Sequence, residues 1–287
     1  MMKIAVTSAS GQLGAAIVKA LIQEIGEDEV IAIARTPEKA KHLGVEVRKG
    51  DYNSPEDLEI ALNGVDKVLL VLGMDEPQKR IQQHRNVIEA AKQNGVAKLV
   101  YTSIVGDEVN TAFSPIVQSN RQTEEDVRAS GLQWVIGRNG IYIEPDLEYI
   151  DSYVKEGEIR NCAGEGKCSY TSREELGFSY AQMLLDDTHN GNTYNLVGEA
   201  ISQKELAAYI NQVYKTNLKY TAVSTEEYKK ERQAALGDFM GTIIAGIYEG
   251  INNGVNDVPS DFQKASGRLH KSPLAMIEAY HQNHPTS

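Results

Sequence analysis

A turn of small residues near the N-terminus is the part of this chain best suited to bind a charged ligand. It runs from Thr7 to Gly14, follows a short apolar run and leads into residues typical of a helix. A strand, a tight turn and a helix start in this order place free backbone N–H groups and a positive helix end around a diphosphate. Gly11 and Gly14 occupy the second and third glycine positions of the dinucleotide-binding fingerprint, and Ser8 occupies the first. The turn therefore predicts a dinucleotide site with one departure from the usual pattern.

A basic residue, Arg35, ends the second apolar run, at residues 30–34. It follows Gly14 by about twenty residues, which is the spacing of the strand end that faces the adenosine ribose. An acid there holds the 2′-hydroxyl of NAD, whereas an arginine accommodates the 2′-phosphate of NADP. The guanidinium also matches the geometry of a phosphate. Arg35 therefore predicts a preference for NADPH over NADH, the alternative being a solvated arginine that opens the following turn.

The proton-transfer pair of ordinary short-chain dehydrogenases is missing from the sequence. In that pair a lysine four residues after a tyrosine lowers the pKa of the phenol, which then acts as a general acid or base. None of the 14 tyrosines has a lysine at that spacing, and Tyr228 with Arg232 comes nearest. The absence argues against alcohol dehydrogenase and sugar epimerase chemistry. It is compatible with hydride transfer to a quinone or a cationic dye, and no catalytic residue is assigned.

Other candidate side chains give weaker signals. His281 and His284 are the histidines closest to a metal-ligand spacing, and no metal site is predicted from them. Tyr142, Tyr149 and Tyr153 follow the last strand of the first half. They either line an apolar substrate cleft or pack a second lobe against the sheet, and the sequence leaves both interpretations open.

The elements that must position these residues alternate between strand-like and helix-like runs as far as Tyr142. This order predicts an α/β fold of Rossmann type, a doubly wound parallel sheet with helices on both faces. Beyond Tyr142 the alternation stops, and capping signals at Ser172, Ser202 and Ser224 predict later helices. We predict an NAD(P)-binding Rossmann domain over residues 1–142, its sheet completed by a strand at about 193–197, and a smaller mixed α+β lobe on the substrate side, mostly helical, over residues 143–287.

Composition excludes several classes of function. The formal net charge of −11 argues against direct binding of nucleic acid, which needs a basic surface. No apolar run approaches the roughly 20 residues that cross a bilayer, so no membrane association is expected. Two cysteines, Cys162 and Cys168, give no disulfide framework, and a cytoplasmic location is expected.

Several spaced motifs together resemble the NmrA-like branch of the atypical short-chain dehydrogenases. Within that branch the chain is most similar to the bacterial NADPH quinone oxidoreductases and the triphenylmethane reductases. The resemblance covers nearly the whole chain and is looser over the last 60 residues or so. The motifs that carry it lie at residues 7–14, 31–35, 50–52, 84–88, 101–103 and 138–142.

The resemblance implies a set of site residues. NADPH would be held by the turn residues Ser8, Ala9, Ser10, Gly11, Gln12 and Leu13, with Arg35 on its 2′-phosphate. Gly73, Met74 and Asp75 would pass near the nicotinamide half, and Arg138, Asn139 and Gly140 would line the same end. Tyr142 and Asn120 would bind substrate.

The resemblance also implies a reaction, which is direct hydride transfer from NADPH to a small aromatic or quinonoid acceptor by a monomer or homodimer. A second hypothesis comes from the same branch, because some NmrA-like proteins bind the dinucleotide without turnover and control a protein partner. Ser8, Asn120 and the run Gly73-Met74-Asp75 depart from the usual residues of the branch. They bear on cofactor affinity, catalytic rate and substrate identity.

Overall fold

The computed structural model describes residues 2–284. Its strands lie between Ile4 and Ala222. Most of the strands in the first half are apolar, as buried parallel strands require. In chain order the strands are β1 (Ile4–Val6), β2 (Val30–Ala34), β3 (Glu46–Lys49), β4 (Lys67–Leu70), β5 (Lys98–Ile104), β6 (Gln133–Asn139), β7 (Ile141–Tyr142), β8 (Glu158–Asn161), β9 (Lys167–Thr171), β10 (Asn192–Leu196), β11 (Ala200–Ser202) and β12 (Lys219–Ala222).

The α-helices alternate with the strands in the first half and dominate the end of the chain. They are α1 (Gln12–Ile25), α2 (Pro55–Ala61), α3 (Pro77–Gln93), α4 (Ser114–Arg128), α5 (Glu144–Glu148), α6 (Ile150–Glu156), α7 (Arg173–Leu185), α8 (Gln203–Tyr214), α9 (Thr225–Leu236), α10 (Asp238–Asn252), α11 (Phe262–Ser266) and α12 (Pro273–Asn283). The predicted caps form, since the hydroxyls of Ser172, Ser202 and Ser224 each accept a backbone N–H three residues later.

A seven-stranded parallel sheet forms the centre of the molecule, in the order β10-β6-β5-β4-β1-β2-β3. Successive residues of a strand point to opposite faces, so that Ile4 and Val6 enter one core while Ala5 enters the other. Helices α1 and α7 cover the first face, and α2, α3 and α4 cover the second. The doubly wound Rossmann-type fold predicted from the sequence is confirmed.

The second half of the chain contributes to the sheet as well as to a lobe. Helix α7 packs along α1 so closely that a Cβ at Gly177 would lie 2.8 Å from the carbonyl oxygen of Ala16. Strand β10 joins the sheet beside β6. The remaining elements surround a separate apolar core that contains Ile159, Tyr170 and Leu206 and two small sheets, β11-β9-β7 and β12-β8. The lobe therefore begins after β6, but the chain returns to the sheet through α7 and β10.

Across the described part of the chain, the helices fall short of the length and apolar character that crossing a membrane requires.

Candidate functional site

An open cleft with a volume of about 670 Å³ lies along the carboxyl ends of the parallel strands. Ligands of open α/β sheets bind at this edge, and the volume is within the range of small-molecule sites. The loops after β1, β2, β3 and β4 form most of the wall, and Arg173 at the start of α7 completes it. Because β2 and β6 lie on opposite sides of β1, Arg35 and Tyr142 lie toward opposite ends of the cleft.

Most residues assigned from the sequence line this cleft, and a smaller group does not. The lining residues are Ser8, Ser10, Gly11, Gln12, Leu13, Arg35, Gly73, Met74, Asp75 and Tyr142. The residues outside the lining are Ala9, Asn120, Arg138, Asn139 and Gly140. Every binding role remains a prediction, but the structure brings the first group together in one cavity.

The turn after β1 has a backbone that few residues other than glycine adopt. Ser8 has a φ of 49°, in the left-handed region, and its carbonyl oxygen accepts the N–H of Gly11 at 2.9 Å. A Cβ at Gly14 would lie 2.5 Å from that same oxygen, so the first turn of α1 packs directly on the backbone of Ser8. Ser8 therefore adopts the conformation that the first glycine of the fingerprint normally supplies.

The end of α1 that faces the cleft is open to an anion. Gly11 is the N-cap residue, no side chain caps the helix, and the first turn contains no acidic residue. The first N–H groups of a helix have no partners within it, and they carry the positive end of the helix dipole. The turn and the helix end can therefore bind a diphosphate through backbone groups.

The hydroxyl of Tyr52 ties the turn to two neighbouring strand ends. It donates to the carbonyl oxygen of Val71 at 2.8 Å and accepts from the hydroxyl of Ser8 at 3.2 Å. It is also hydrogen-bonded to the hydroxyl of Thr7. Burial raises the pKa of Tyr52 to about 12, so the phenol keeps its proton at neutral pH. The hydrogen bond from the Ser8 hydroxyl to Tyr52 therefore helps to hold Ser8 in its left-handed conformation.

A buried histidine anchors the loop after β4. The N–H of Gly73 donates to Nε2 of His84 at 2.8 Å, and Nδ1 of His84 lies 2.8 Å from the hydroxyl of Thr123. Burial lowers the pKa of His84 to about 3, so the ring is neutral at neutral pH. Its Nε2 accepts and its Nδ1–H donates. The histidine thus serves as an anchor between α3, α4 and the wall of the cleft.

The same loop presents one apolar and one acidic side chain. Met74 is 81% exposed although it lines the cleft. Asp75 accepts from the amide of Gln83 at 2.5 Å, and this hydrogen bond lowers the pKa of the carboxyl. Arg80 donates to the carbonyl oxygen of Asp75 at 3.0 Å. Hydrogen bonds therefore hold the loop at Asp75, while the side chain of Met74 is exposed to the cleft.

Arg138 is engaged by a buried carboxylate, which explains why it lies outside the lining. Glu124 accepts from Arg138 at 2.7 and 2.9 Å, and also from Arg121, Arg128 and Ser103. Burial raises the pKa of Glu124, but the hydrogen bond from Arg138 and the charge of Arg121 outweigh it, and the net shift is downward. Glu124 is therefore ionised at neutral pH and fixes the end of β6.

Asn120 and Asn139 are also buried, with their amides engaged. Asn120 is fully buried and accepts the hydroxyl of Tyr101 at 2.6 Å. Asn139 accepts the hydroxyl of Tyr180 at 2.6 Å and donates to the hydroxyl of Tyr142 at 3.1 Å. Asn139 therefore orients the side chain of Tyr142, which lines the cleft, without lining the cleft itself. Asn120 instead links α4 to β5 through Tyr101.

Ala9 and Gly140 are buried among backbone and apolar groups. Ala9 is part of the core beneath α1. A Cβ at Gly140 would lie 2.6 Å from the carbonyl oxygen of Ser169, so this glycine permits a close approach of β6 to β9. Both residues shape the wall from outside the cavity.

Sequence reasoning missed two cations of the cleft, Lys39 and Arg173. Lys39 is exposed and stands four positions after Arg35, in a short 3₁₀ turn. Arg173 is the first residue of α7, directly after the cap Ser172. A basic residue just inside a capped helix was the available signal for Arg173.

Comparisons with known proteins agree with this geometry. Residues 8–160 match the sequence profile of a protein family described as NAD(P)H-binding. Quinone oxidoreductase 2 of Escherichia coli K12 is 31% identical over 88% of each chain. The NAD(P)H azoreductase of Xenophilus azovorans is 30% identical over 79% of this chain and 79% of its own.

The fold comparison extends over nearly the whole chain. The crystal structure of the Citrobacter sp. triphenylmethane reductase complexed with NADP(H) superimposes with a TM-score of 0.89 and 33% identity. The match covers 97% of this chain and 100% of the reductase.

Replacement of Ser8 tests the left-handed turn. We expect Ser8→Val to lower the free energy of unfolding by about 1–2 kcal/mol, because a β-branched residue resists a positive φ. Ser8→Gly should remain within about 1 kcal/mol of the wild type. Urea unfolding measures both. A valine variant as stable as the wild type would show that the turn does not have this backbone.

Replacement of Glu124 tests the buried charge cluster. We expect Glu124→Gln to lower the free energy of unfolding by about 3 kcal/mol, because it removes a fully buried carboxylate and leaves the partly buried guanidinium groups of Arg121 and Arg138 without their counterion. The pKa of Glu124 is lowered in the folded state, so its contribution is present at neutral pH and lost as the pH falls through that pKa.

The matched control for Glu124 is on the same helix. Asp126 pairs with Arg85 at 2.7 Å on the surface, and Asp126→Asn should cost less than about 1 kcal/mol. Equal costs for the two variants would contradict the assignment of Glu124.

Proposed function

This chain belongs to the NAD(P)H-binding, NmrA-like family of oxidoreductases, and from that membership we propose that it is an NADPH-dependent reductase of quinones or related aromatic acceptors. The single observation that carries the proposal is the make-up of the cleft. It combines an open helix end, two cations at one extremity and apolar and aromatic side chains toward the other.

The residues fit a pyridine dinucleotide in the middle of the cleft. Ser10, Gln12 and Leu13 offer backbone N–H donors, and the uncapped end of α1 offers its positive dipole, to the diphosphate. A Cβ at Gly11 would lie 3.3 Å from the carbonyl oxygen of Ser8, so a side chain at this position would crowd the turn. The lack of an acidic side chain in the first turn of α1 leaves the diphosphate unopposed.

The adenosine end supports NADPH over NADH. Arg35 and Lys39 both line the cleft and are exposed, and they follow the strand whose end faces the adenosine ribose in this fold. A phosphate with two negative charges gains from both cations, whereas a ribose hydroxyl gains little from either.

The opposite end suits an aromatic acceptor. Met74 offers a polarisable apolar surface, and the half-buried ring of Tyr142 faces the same cavity. The guanidinium of Arg173 lies 5.6 Å from the centre of that ring. When bound, NADPH supplies the hydride, and the chain's own residues orient an apolar acceptor and limit its exposure to water. The named relatives act on quinones and on azo or triphenylmethane compounds, and such acceptors share flat aromatic character.

The direct test is oxidation of NADPH in the presence of a panel of quinones. We expect turnover with at least one quinone, at a rate that depends on the concentrations of both NADPH and acceptor. The assay monitors absorbance of the reduced coenzyme, with heat-denatured protein as the blank. Tight binding of NADP together with no reduction of any quinone or dye would instead favour a nucleotide-sensing regulator.

Replacement of the two cations tests the coenzyme preference. We expect Arg35→Ala to weaken NADPH binding by about 1–3 kcal/mol and to leave NADH binding nearly unchanged, because only NADPH carries the 2′-phosphate. Lys39→Ala should act in the same direction with a smaller effect. Calorimetric titration gives both dissociation constants.

The control is Lys41→Ala, since Lys41 is exposed two residues beyond Lys39 and lies outside the lining of the cleft. It should change neither dissociation constant. If Arg35→Ala weakened NADPH and NADH equally, Arg35 would not read the phosphate.

A further inference from the structure

Reduction of a quinone needs a proton as well as a hydride, and few groups in the cleft can provide it. Within residues 2–284, the ionisable and phenolic side chains of the lining are Arg35, Lys39, Asp51, Tyr52, Asp75, Tyr142 and Arg173. The proton donor is therefore one of these side chains or water.

Most of these side chains are unsuited to the task by position or by charge. Arg35, Lys39 and Asp51 follow β2 and β3, at the far edge of the sheet from β6. Tyr52 already donates its hydroxyl hydrogen to Val71. The hydrogen bond from Gln83 lowers the pKa of Asp75, which is a carboxylate with no proton to give at neutral pH.

Tyr142 is different because its hydroxyl is positioned but its hydrogen is unused. Asn139 donates to the phenolic oxygen at 3.1 Å, and the amide oxygen of Asn139 lies 2.6 Å from the hydroxyl of Tyr180, which also lies 3.0 Å from the carbonyl oxygen of Gly137. In this orientation the amide presents its NH₂ group to Tyr142. Within the described chain no acceptor takes the hydroxyl hydrogen of Tyr142, which leaves it available to a ligand in the cleft.

The surroundings of Tyr142 favour a phenol that can lose its proton and recover it. Burial raises the pKa of Tyr142 to about 12, so the group is protonated at neutral pH. The guanidinium of Arg173 over the ring opposes that shift and stabilises a phenolate. The donated N–H of Asn139 stabilises a phenolate as well.

We propose that Tyr142 is the catalytic proton donor to the oxygen of a quinone acceptor in this cleft, a role that rests on the proposed reductase function. Tyr142 would thus have the function of the tyrosine in the missing tyrosine–lysine pair, although it occupies a different position in the chain.

The step is balanced in atoms and electrons. A quinone that accepts one hydride, and with it two electrons, becomes the hydroquinone monoanion. The O–H bond of Tyr142 breaks, and its proton forms a new O–H bond on that anion, which gives the neutral hydroquinone. The resulting phenolate of Tyr142 takes a proton from water in the open cleft. NADPH is the reductant, and no further oxidant or co-reactant is needed.

A second class of acceptor does not need this proton. A cationic triphenylmethane dye accepts hydride at its central carbon and becomes neutral without protonation. The donor role therefore affects one acceptor class and not the other, whereas a merely structural role of Tyr142 would affect both.

The experiment compares Tyr142→Phe with the wild type on both acceptors. We expect kcat for 1,4-naphthoquinone to fall by about 100-fold, which is the low end of the contribution of a general acid. Reduction of malachite green should change less than about threefold. We also expect the NADP⁺-loaded variant to bind 1,4-naphthoquinone about fivefold more weakly by calorimetry, through loss of one hydrogen bond. This measurement involves no turnover.

The matched control is Tyr149→Phe, an exposed tyrosine of the same lobe that lies outside the lining of the cleft. It should leave both activities unchanged. Equal losses on quinone and dye in Tyr142→Phe, or an unchanged quinone rate, would overturn the proposal while leaving the reductase function intact. A wild-type protein that binds NADPH but reduces neither acceptor would overturn both.

Discussion

The left-handed backbone of Ser8 determines the path of the turn from which the cleft is built. Its carbonyl oxygen accepts from Gly11 and lies against Gly14, so the first turn of α1 is seated on the end of β1. That seating leaves the helix end uncapped and open to the cleft. A serine pays a conformational cost in this region that a glycine does not, and the hydroxyl of Tyr52 holds its side chain in place. The diphosphate site that we propose depends on this small set of contacts.

Buried polar groups outside the cleft hold its other walls in place through hydrogen bonds. His84 holds the loop at Gly73, and Glu124 holds Arg138 at the end of β6. Asn139 orients the hydroxyl of Tyr142 in the same way. Buried polar groups with satisfied hydrogen bonds are costly to rearrange. The cleft is therefore preorganised by groups that do not enter it, and exposed side chains such as Met74 remain free to meet a ligand.

The fold, and the residues that line the cleft from Ser8 to Arg35, were predictable because their signals are local. The turn at residues 7–14 and the basic residue Arg35 are recognised by spacing along one strand–helix unit. The positions of Arg138 and Asn120 were not predictable in this way. Glu124, which engages Arg138, lies on another element, and Asn120 is buried against Tyr101 across the α4–β5 contact. Such partners are set by tertiary packing, to which neither periodicity nor a single sequence is sensitive.

Backbone amide shifts during titration with NADP⁺ report whether the diphosphate binds at the first turn of α1. We expect the largest changes at the N–H groups of Ser10, Gln12 and Leu13, because the uncapped end of α1 receives the diphosphate. Smaller changes should appear along the loop after β4. Saturation with NADP⁺ that leaves the amides of the turn unshifted, with changes confined to other surfaces, would contradict the placement of the diphosphate at α1.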